Sequence, residues 1–234
     1  MSPRGCLVAI LAFAAIVTGV LWFALPPVIG GLAAGALTNA GVHGTGTRVD
    51  VGADPPLRLL FLEADRVRVR SMDVDIRNVH ADSLDLTLRD VSIGGRRFGF
   101  IEGTLSGVRV QPDQGPAFEA SDVKITGPAQ AARVAITVDQ AAAQNLILSA
   151  VATSTGLRVA KVTLSSPDRV TVTTSRGSID GRLDVTAAGD LVVRPSTGGS
   201  IALVGIGSDQ PVRLQSVQVV GQGVEISGVI NLAQ

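Results

Sequence analysis

The chain has 234 residues, and its formal net charge at pH 7 is zero because 20 Lys and Arg offset 20 Asp and Glu. Such a balance supplies neither the basic field that nucleic-acid-binding proteins use nor a strong attraction to anionic lipid. Aromatic residues make up only 3% of the chain and Tyr is absent. Sugar-binding surfaces and single-strand nucleic-acid platforms, which stack their ligands on aromatic rings, are therefore also disfavoured.

The first predicted element is a membrane segment. An uncharged apolar run extends from Cys6 to Leu25, and roughly 20 such residues cross a hydrocarbon core of about 30 Å as a helix. Arg4 precedes the run and the next basic residue is Arg48, so the positive-inside rule places the following domain outside the cytoplasm. A cleaved signal peptide is the alternative. Both alternatives export the domain, and the single Cys cannot form an internal disulfide there.

These features divide the chain into three parts. Residues 1–29 are predicted to form the membrane anchor or signal segment, residues 30–54 a Gly-rich spacer, and residues 55–234 an exported β domain. The predicted location is the cell membrane, with a single pass and the C-terminal domain in the periplasm or cell envelope. Leu57 to Leu62 is predicted to be a short helical turn or an edge segment.

The strongest strand signal follows this turn. Apolar and charged residues alternate strictly from Arg66 to Arg70, which predicts a strand with three arginines on one face and two valines on the other. The apolar phase then shifts at Val74 and Ile76, as a bulge or bend would produce. Leu84 to Leu88 alternates again before another shift. Long strands with such shifts predict a curved, twisted sheet.

One helix is predicted in the middle of the chain, from Asp139 to about Thr153. Asp139 is a favourable N-cap residue, and Gly156 follows where a left-handed C-cap residue is common. Strand patterns resume at Leu157 and continue to Leu232. The predicted fold class is thus α+β and β-dominated: a strongly curved antiparallel sheet wrapped on one principal helix, with an N-terminal transmembrane helix and roughly nine to eleven strands.

A sheet with one apolar face must cover that face with a helix, with itself or with a ligand. If a ligand covers it, an apolar groove between the helix and the sheet is where lipid acyl chains would lie. The predicted groove residues are Val67, Val69, Leu84, Leu86, Leu88, Val134, Ile136, Leu146, Ile147, Ala150 and Val151. Arg66, Arg68 and Arg70 are candidates for contacting a phosphate headgroup, the alternative being that their charge discourages aggregation of an exposed sheet face.

Catalytic and metal-binding patterns are not found in the sequence. There is no GxSxG, P-loop or GxGxxG motif in a suitable context, and His43 and His80 lie far apart. Asp73, Asp75, Asp82, Asp85 and Asp90 alternate with arginines, which favours cross-strand ion pairs on a solvated face over a cation site. We expect no enzymatic activity, no metal and no cofactor. A hydrolase with an unrecognised active site is a third interpretation.

Several segments in order resemble a known family. Besides the N-terminal apolar run they are Pro56–Val69, Asp82–Val91, Val134–Leu146 and Asp190–Pro195. Over about Pro55 to Leu232 the chain resembles the actinobacterial LmeA-like phospholipid-binding proteins. The resemblance implies a fold similar to the tubular lipid-binding (BPI-like) superfamily, in which a curved sheet wraps a long helix around an apolar groove. It also implies a role in the cell envelope, linked in some members to mannolipid maturation.

The expected function is non-enzymatic binding or handling of phospholipid or glycolipid in a bacterial cell envelope. The competing hypothesis is a membrane-anchored structural or accessory module that packs its apolar face internally and recruits an envelope glycolipid enzyme through a strand edge. Expected partners are lipid and the membrane, with an envelope protein as a further candidate, but not nucleic acid.

Overall fold

A computed structural model describes residues 42–76, 79–95, 97–110, 118–204, 212–221 and 223–232. A 3₁₀ helix, Pro56–Phe61, and an α-helix, α1 (Gln140–Thr155), accompany the strands. The strands are β1 Val42–Gly52, β2 Glu63–Ile76, β3 Val79–Ser92, β4 Phe100–Val110, β5 Phe118–Pro128, β6 Ala132–Asp139, β7 Val159–Ser165, β8 Arg169–Thr174, β9 Gly177–Val185, β10 Leu191–Pro195, β11 Ile201–Val204, β12 Val212–Val220 and β13 Gly223–Ile230.

These strands form two antiparallel sheets. The large sheet has eight strands in the order β1-β2-β3-β4-β5-β6-β13-β12, and the small sheet has five in the order β11-β10-β9-β8-β7. The chain leaves the large sheet after β6, forms α1 and the small sheet, and returns so that β13 pairs with β6. The predicted β-dominated, antiparallel class with one principal helix is confirmed for the described residues.

The helix packs between the two sheets. It contacts β7 and β11 of the small sheet and β5, β6 and β13 of the large sheet. The expectation of one curved sheet around the helix is therefore corrected to two sheets that share it. Alternation of apolar and polar residues predicts which side of a strand is buried, but it carries no information about which strands pair.

The first strand corrects the predicted spacer. Residues 30–54 were expected to be a spacer, but Val42–Gly52 forms β1 and pairs with β2 along its length. Glycines at Gly44 and Gly46 weaken the strand signal of this stretch. The strand forms nevertheless because β2 offers an open row of backbone partners, and because Val51 is buried in a core beside it.

A line of left-handed residues crosses the large sheet, and we call it the crease. It consists of Gly46 in β1, Asp73 in β2 and Gly107 in β4, with φ values of 62°, 47° and 62°. Pairing of β2 with β3 keeps one register on both sides of Asp73, so these two strands bend together. Pairing of β1 with β2 shifts its register on both sides of Thr45, next to Gly46. In β2 the buried residues change phase across it, from Val69 before it to Val74 after it. The phase shift predicted at Val74 is confirmed.

Two hydrophobic cores lie on either side of the crease. The main core contains α1 and the small sheet, and on β2 and β3 it begins with Val74 and Ala81. The second core is smaller and lies under the 3₁₀ helix, where Leu59 is its most buried large side chain. Leu84 packs against both cores. The large sheet thus serves two cores, one in each half of its length.

The predicted N-terminal anchor, residues 1–29, lies outside the described residues. Among the residues that the structure describes, no helix has the length and apolar character needed to cross a membrane.

Candidate functional site

The interface between α1 and the sheets is closely packed. Leu146, Ile147, Ala150 and Val151, which were predicted to line a groove, are all buried in the main core. The cavity that remains beside Leu146 and Ile147 has a volume of about 10 Å³. A single water molecule needs about 10–15 Å³, so an acyl chain could enter this interface only if the two sheets moved apart.

The remaining predicted groove residues divide between the two cores. Val67 and Val69 are buried in the second core with Leu86 and Leu88 against them. Ile136 packs against the main core, and Val134 is buried outside both cores. The structure therefore does not bring the predicted groove residues of α1 into contact with the valines of β2. The crease separates the helix residues from the valines of β2. The small sheet covers the side of the helix for which the sequence predicted no covering element.

The arginine row of β2 lies on the exposed face of the sheet, opposite the valines. Arg68 holds Asp85 by two hydrogen bonds, from Nε to Oδ1 at 3.0 Å and from Nη2 to Oδ2 at 2.6 Å. Those bonds lower the pKa of the Asp85 carboxyl and raise the pKa of Arg68. Arg70 pairs with Asp50 at 2.9 Å. Arg66 has no ion pair with any residue that the structure describes.

Several of the carboxylates that the sequence singled out are also paired. Asp82 accepts from Arg109 at 2.6 Å, and Asp75 lies 2.8 Å from His80 Nδ1. Within the described ranges, no group of three or more His, Cys, Asp or Glu side chains is arranged to hold a metal ion. These charges therefore form a layer of pairs across the strands, as the ion-pair interpretation predicted for Asp82 and Asp85.

An open cleft of about 500 Å³ lies at the crease, where β1 to β4 meet. Arg48 of β1 stands directly opposite Arg70 of β2 in the strand pairing, and directly opposed residues have Cβ atoms about 4.5–5.5 Å apart. Arg70 already pairs with Asp50, whereas Arg48 has no ion pair with any residue that the structure describes. The cleft is lined by Gly46, Arg48, Arg70, Ser71, Met72, Ser83, Leu84, Asp85, Thr104 and Ser106.

The cleft combines two kinds of surface. Its guanidinium groups and the hydroxyls of Ser83 and Thr104 can donate hydrogen bonds to a phosphate or to sugar oxygens. The Ser106 hydroxyl already donates to Asp122, and Ser71 is buried. Met72, which is 66% exposed, provides apolar contact beside them. Leu84 is opposite the buried Ser71, and its side chain packs on the core side of the sheet. Within about 300–1,000 Å³, the size range of small-molecule sites, such a mixture is typical of a binding pocket for an amphipathic ligand.

Sequence reasoning found only part of this site. Arg70 and Leu84 were predicted as a headgroup contact and a groove residue, but Arg48 and Met72 were missed. Arg48 was overlooked because it was assigned to the spacer. A signal was present, since Arg48 and Asp50 alternate with Val49 and Val51 just as the β2 arginines alternate with valines.

Comparison with protein-family models, curated proteins and solved structures found no match. The resemblance to LmeA-like proteins therefore stays a prediction based on the sequence segments.

Proposed function

We propose that this protein is a non-enzymatic phospholipid- or glycolipid-binding protein of a bacterial cell envelope, held at the membrane by its N-terminal apolar run. The cleft at the crease is its lipid headgroup site. The observation that carries this proposal is the direct opposition of Arg48 and Arg70 in an open cleft that also presents Met72. A phosphate bound there would pair with Arg48 and could also accept a hydrogen bond from Arg70, one of whose nitrogens donates to Asp50.

The hydrocarbon part of the ligand extends from this headgroup site over Met72. Each methylene buried against apolar surface contributes about 0.8 kcal/mol, so even part of an acyl chain adds useful affinity. Met suits such a surface because its flexible thioether adapts to ligands of different shape. Leu84 also reaches both hydrophobic cores, which supports the cleft floor from beneath.

The groups in the cleft favour binding over turnover. Its serine and threonine hydroxyls have no histidine among the lining residues to act as a general base, and nucleophilic catalysis by a hydroxyl requires such activation. Asp85 is engaged by Arg68 through two hydrogen bonds. The cleft is therefore proposed to hold a lipid and release it unchanged.

Native mass spectrometry of the full chain tests the proposal. The detergent-solubilised protein is incubated with dioleoylphosphatidylglycerol, and the Arg48→Gln, Arg70→Gln double variant is compared with Arg133→Gln, an exposed arginine on β6. We expect one bound lipid on the parent and on Arg133→Gln, and loss of that lipid from the double variant. Equal lipid occupancy in all three proteins, or a parent that binds none, would refute the cleft as the lipid site.

A membrane-anchored accessory module is the second candidate, and two observations favour it. The interface around α1 is filled, and β1 and β12 are the edge strands of the large sheet in its described part. Edge strands have unpaired backbone groups that can bind a strand of a partner. A parent chain that is free of lipid and refuses added lipid would support this module.

A further inference from the structure

Five exposed apolar side chains gather at one end of the large sheet. They belong to the 3₁₀ helix, to the residue that follows it and to the turn after β3, and we call them the apolar tip. Their exposed fractions are 50% for Leu57, 55% for Leu60, 77% for Phe61, 47% for Leu62 and 37% for Ile93. Of the other large apolar side chains in the described part of the chain, only Met72 and Val220 are similarly exposed. Contiguous exposed apolar surface of this kind usually marks an interaction site.

The apolar tip is held in place from beneath. Pro56 and Leu59 of the same 3₁₀ helix are buried, and the backbone N–H of Leu62 donates to the carbonyl of Leu59 at 3.0 Å. The N–H of Ile93 donates to the carbonyl of Leu62 at 2.8 Å, which ties the two parts of the tip together. Two inward residues thus fix the turn, while its outward residues are presented to solvent.

One of these residues occupies an unfavourable backbone position. Leu62 has φ of 58°, in the left-handed region where Gly is favoured and a side chain with a Cβ is strained. A Gly residue at this position would adopt the left-handed conformation without strain and would not expose an apolar side chain. Strained positions with an exposed functional side chain are characteristic of binding surfaces.

We propose that the apolar tip inserts into the headgroup–hydrocarbon boundary of the same bilayer that holds the N-terminal apolar run. The outward side chains contain only hydrocarbon and project from a turn, without a groove that would select a partner's side chains. A fluid bilayer accepts such a surface because burial needs no shape match. This proposal shares the membrane attachment of the proposed function but does not require the cleft to bind lipid.

Chain length permits this arrangement. The apolar tip and Val42 lie at opposite ends of β1, whose 11 residues span about 35 Å. Residues 26–41 connect the apolar run to β1, and roughly 16 residues can reach at most about 55 Å. The extended length of this connection exceeds the length of β1, so chain length allows the tip to reach the same membrane.

Charge around the apolar tip is balanced among the residues that the structure describes. Arg58, Arg66 and Arg97 are matched by Asp54, Glu63 and Asp65 in the same region, and Arg58 pairs with both Glu63 and Asp65. Insertion should therefore depend on the apolar side chains and respond little to salt or to the fraction of anionic lipid. A polybasic membrane site would behave oppositely.

Depth-dependent fluorescence quenching tests this proposal in the full chain. Cys6 is the only cysteine, so a Cys6→Ser chain with Leu60→Cys is labelled with an environment-sensitive probe and reconstituted into phosphatidylcholine vesicles. The matched control is Val220→Cys, an exposed apolar residue at the opposite end of the sheet. With doxyl-labelled lipid in the same vesicles, we expect strong quenching at residue 60, weak quenching at residue 220, and loss of the former in a Phe61→Ser variant.

Other occupants of the tip give different results, and each would overturn the proposal. Protection from aqueous iodide without quenching by doxyl lipid would show that residues 26–41 cover the tip. Energy transfer between labelled chains would show a second copy there, and quenching only by doxyl lipid in protein-free acceptor vesicles would show docking on an opposing membrane. If the cleft does not bind lipid, mass spectrometry would detect no bound lipid while quenching at residue 60 persists.

Discussion

The bidentate pair of Arg68 and Asp85 makes the stability of the sheet depend on acid. Because these hydrogen bonds lower the pKa of Asp85 in the folded chain, the folded state binds a proton at this site less readily than the unfolded state does. The pair therefore stabilises the fold above the ordinary aspartate pKa of about 3.9. That contribution is lost as pH falls through the lower, folded value.

Thermal unfolding of Arg68→Gln and the parent between about pH 7 and pH 2 measures this effect. We expect the variant to have a lower melting temperature than the parent at neutral pH. This gap in melting temperature should close as Asp85 becomes protonated. High salt should also narrow the gap, because both side chains are about half exposed and salt screens their attraction. A gap that does not change with pH would contradict the role assigned to the pair.

Leu62 allows backbone strain to be separated from surface chemistry. Replacing Leu62 by Gly removes a Cβ from a left-handed position and should raise the free energy of unfolding by roughly 1 kcal/mol. Leu60→Gly is the matched control, since Leu60 lies within the 3₁₀ helix, where Gly should lower it by about 0.5–1 kcal/mol. Chemical denaturation measures both. A less stable Leu62→Gly protein would mean that the Leu62 side chain contributes more by packing than it costs in strain.

At the scale of the strand, the crease can be tested with two glycines of similar φ. A Cβ at Gly46 would meet no atom within 4 Å, whereas a Cβ at Gly107 would collide with the carboxylate of Asp82. Asp82 would then have to turn away and give up its hydrogen bond from Arg109.

Gly46→Ala should therefore lower the free energy of unfolding by about 1–2 kcal/mol, the cost of a left-handed alanine. Gly107→Ala should lower it by a larger amount. Urea denaturation of the two variants provides the comparison, and equal losses would mean that Asp82 relocates without cost. Because Gly107 lies in the crease, circular dichroism of the same samples reports whether the sheet itself is retained.

The regular elements were largely predictable from local signals. The helix was predicted from Asp139 to about Thr153 and extends over Gln140–Thr155, with Asp139 at the N-cap position and Gly156 in the left-handed C-cap conformation. Asp139 makes no side-chain capping hydrogen bond, so its position was correct although its expected contact is absent. The alternation from Arg66 to Arg70 likewise predicted the two faces of β2, because side-chain direction in a strand depends only on neighbouring residues.

The candidate site was less predictable because it depends on pairing between distant segments. Arg48 becomes a site residue only when β1 pairs with β2 and brings it opposite Arg70. Nothing in the local sequence specifies that register. The crease was visible as a phase shift at Val74, but Gly107 could not be connected with Asp73 before the strand order was known.

At the scale of the whole molecule, the position of the helix decides where a ligand can bind. The sequence predicted that apolar residues of α1 line a groove, but it did not predict the second sheet that covers them. With both sheets in place, Val162 and Val170 of the small sheet and Val224 of the large sheet share one core with Ile147. Binding sites are consequently expected at the crease and the apolar tip, where the large sheet extends beyond this shared core.

Overpacking of the helix distinguishes a closed core from a groove that opens for lipid. Ala150 is buried in the main core, and its replacement by Leu adds three carbons where a cavity of only about 10 Å³ remains beside the helix. Such additions to a packed core cost about 1–3 kcal/mol. Ala141→Leu is the control, because Ala141 lies on the exposed side of the same helix. We expect a clear drop in melting temperature for Ala150→Leu alone, with lipid occupancy of the cleft unchanged in the molecules that remain folded. An unchanged melting temperature together with loss of bound lipid would mean that the two sheets part to admit an acyl chain beside α1, and the lipid site would then lie at the helix.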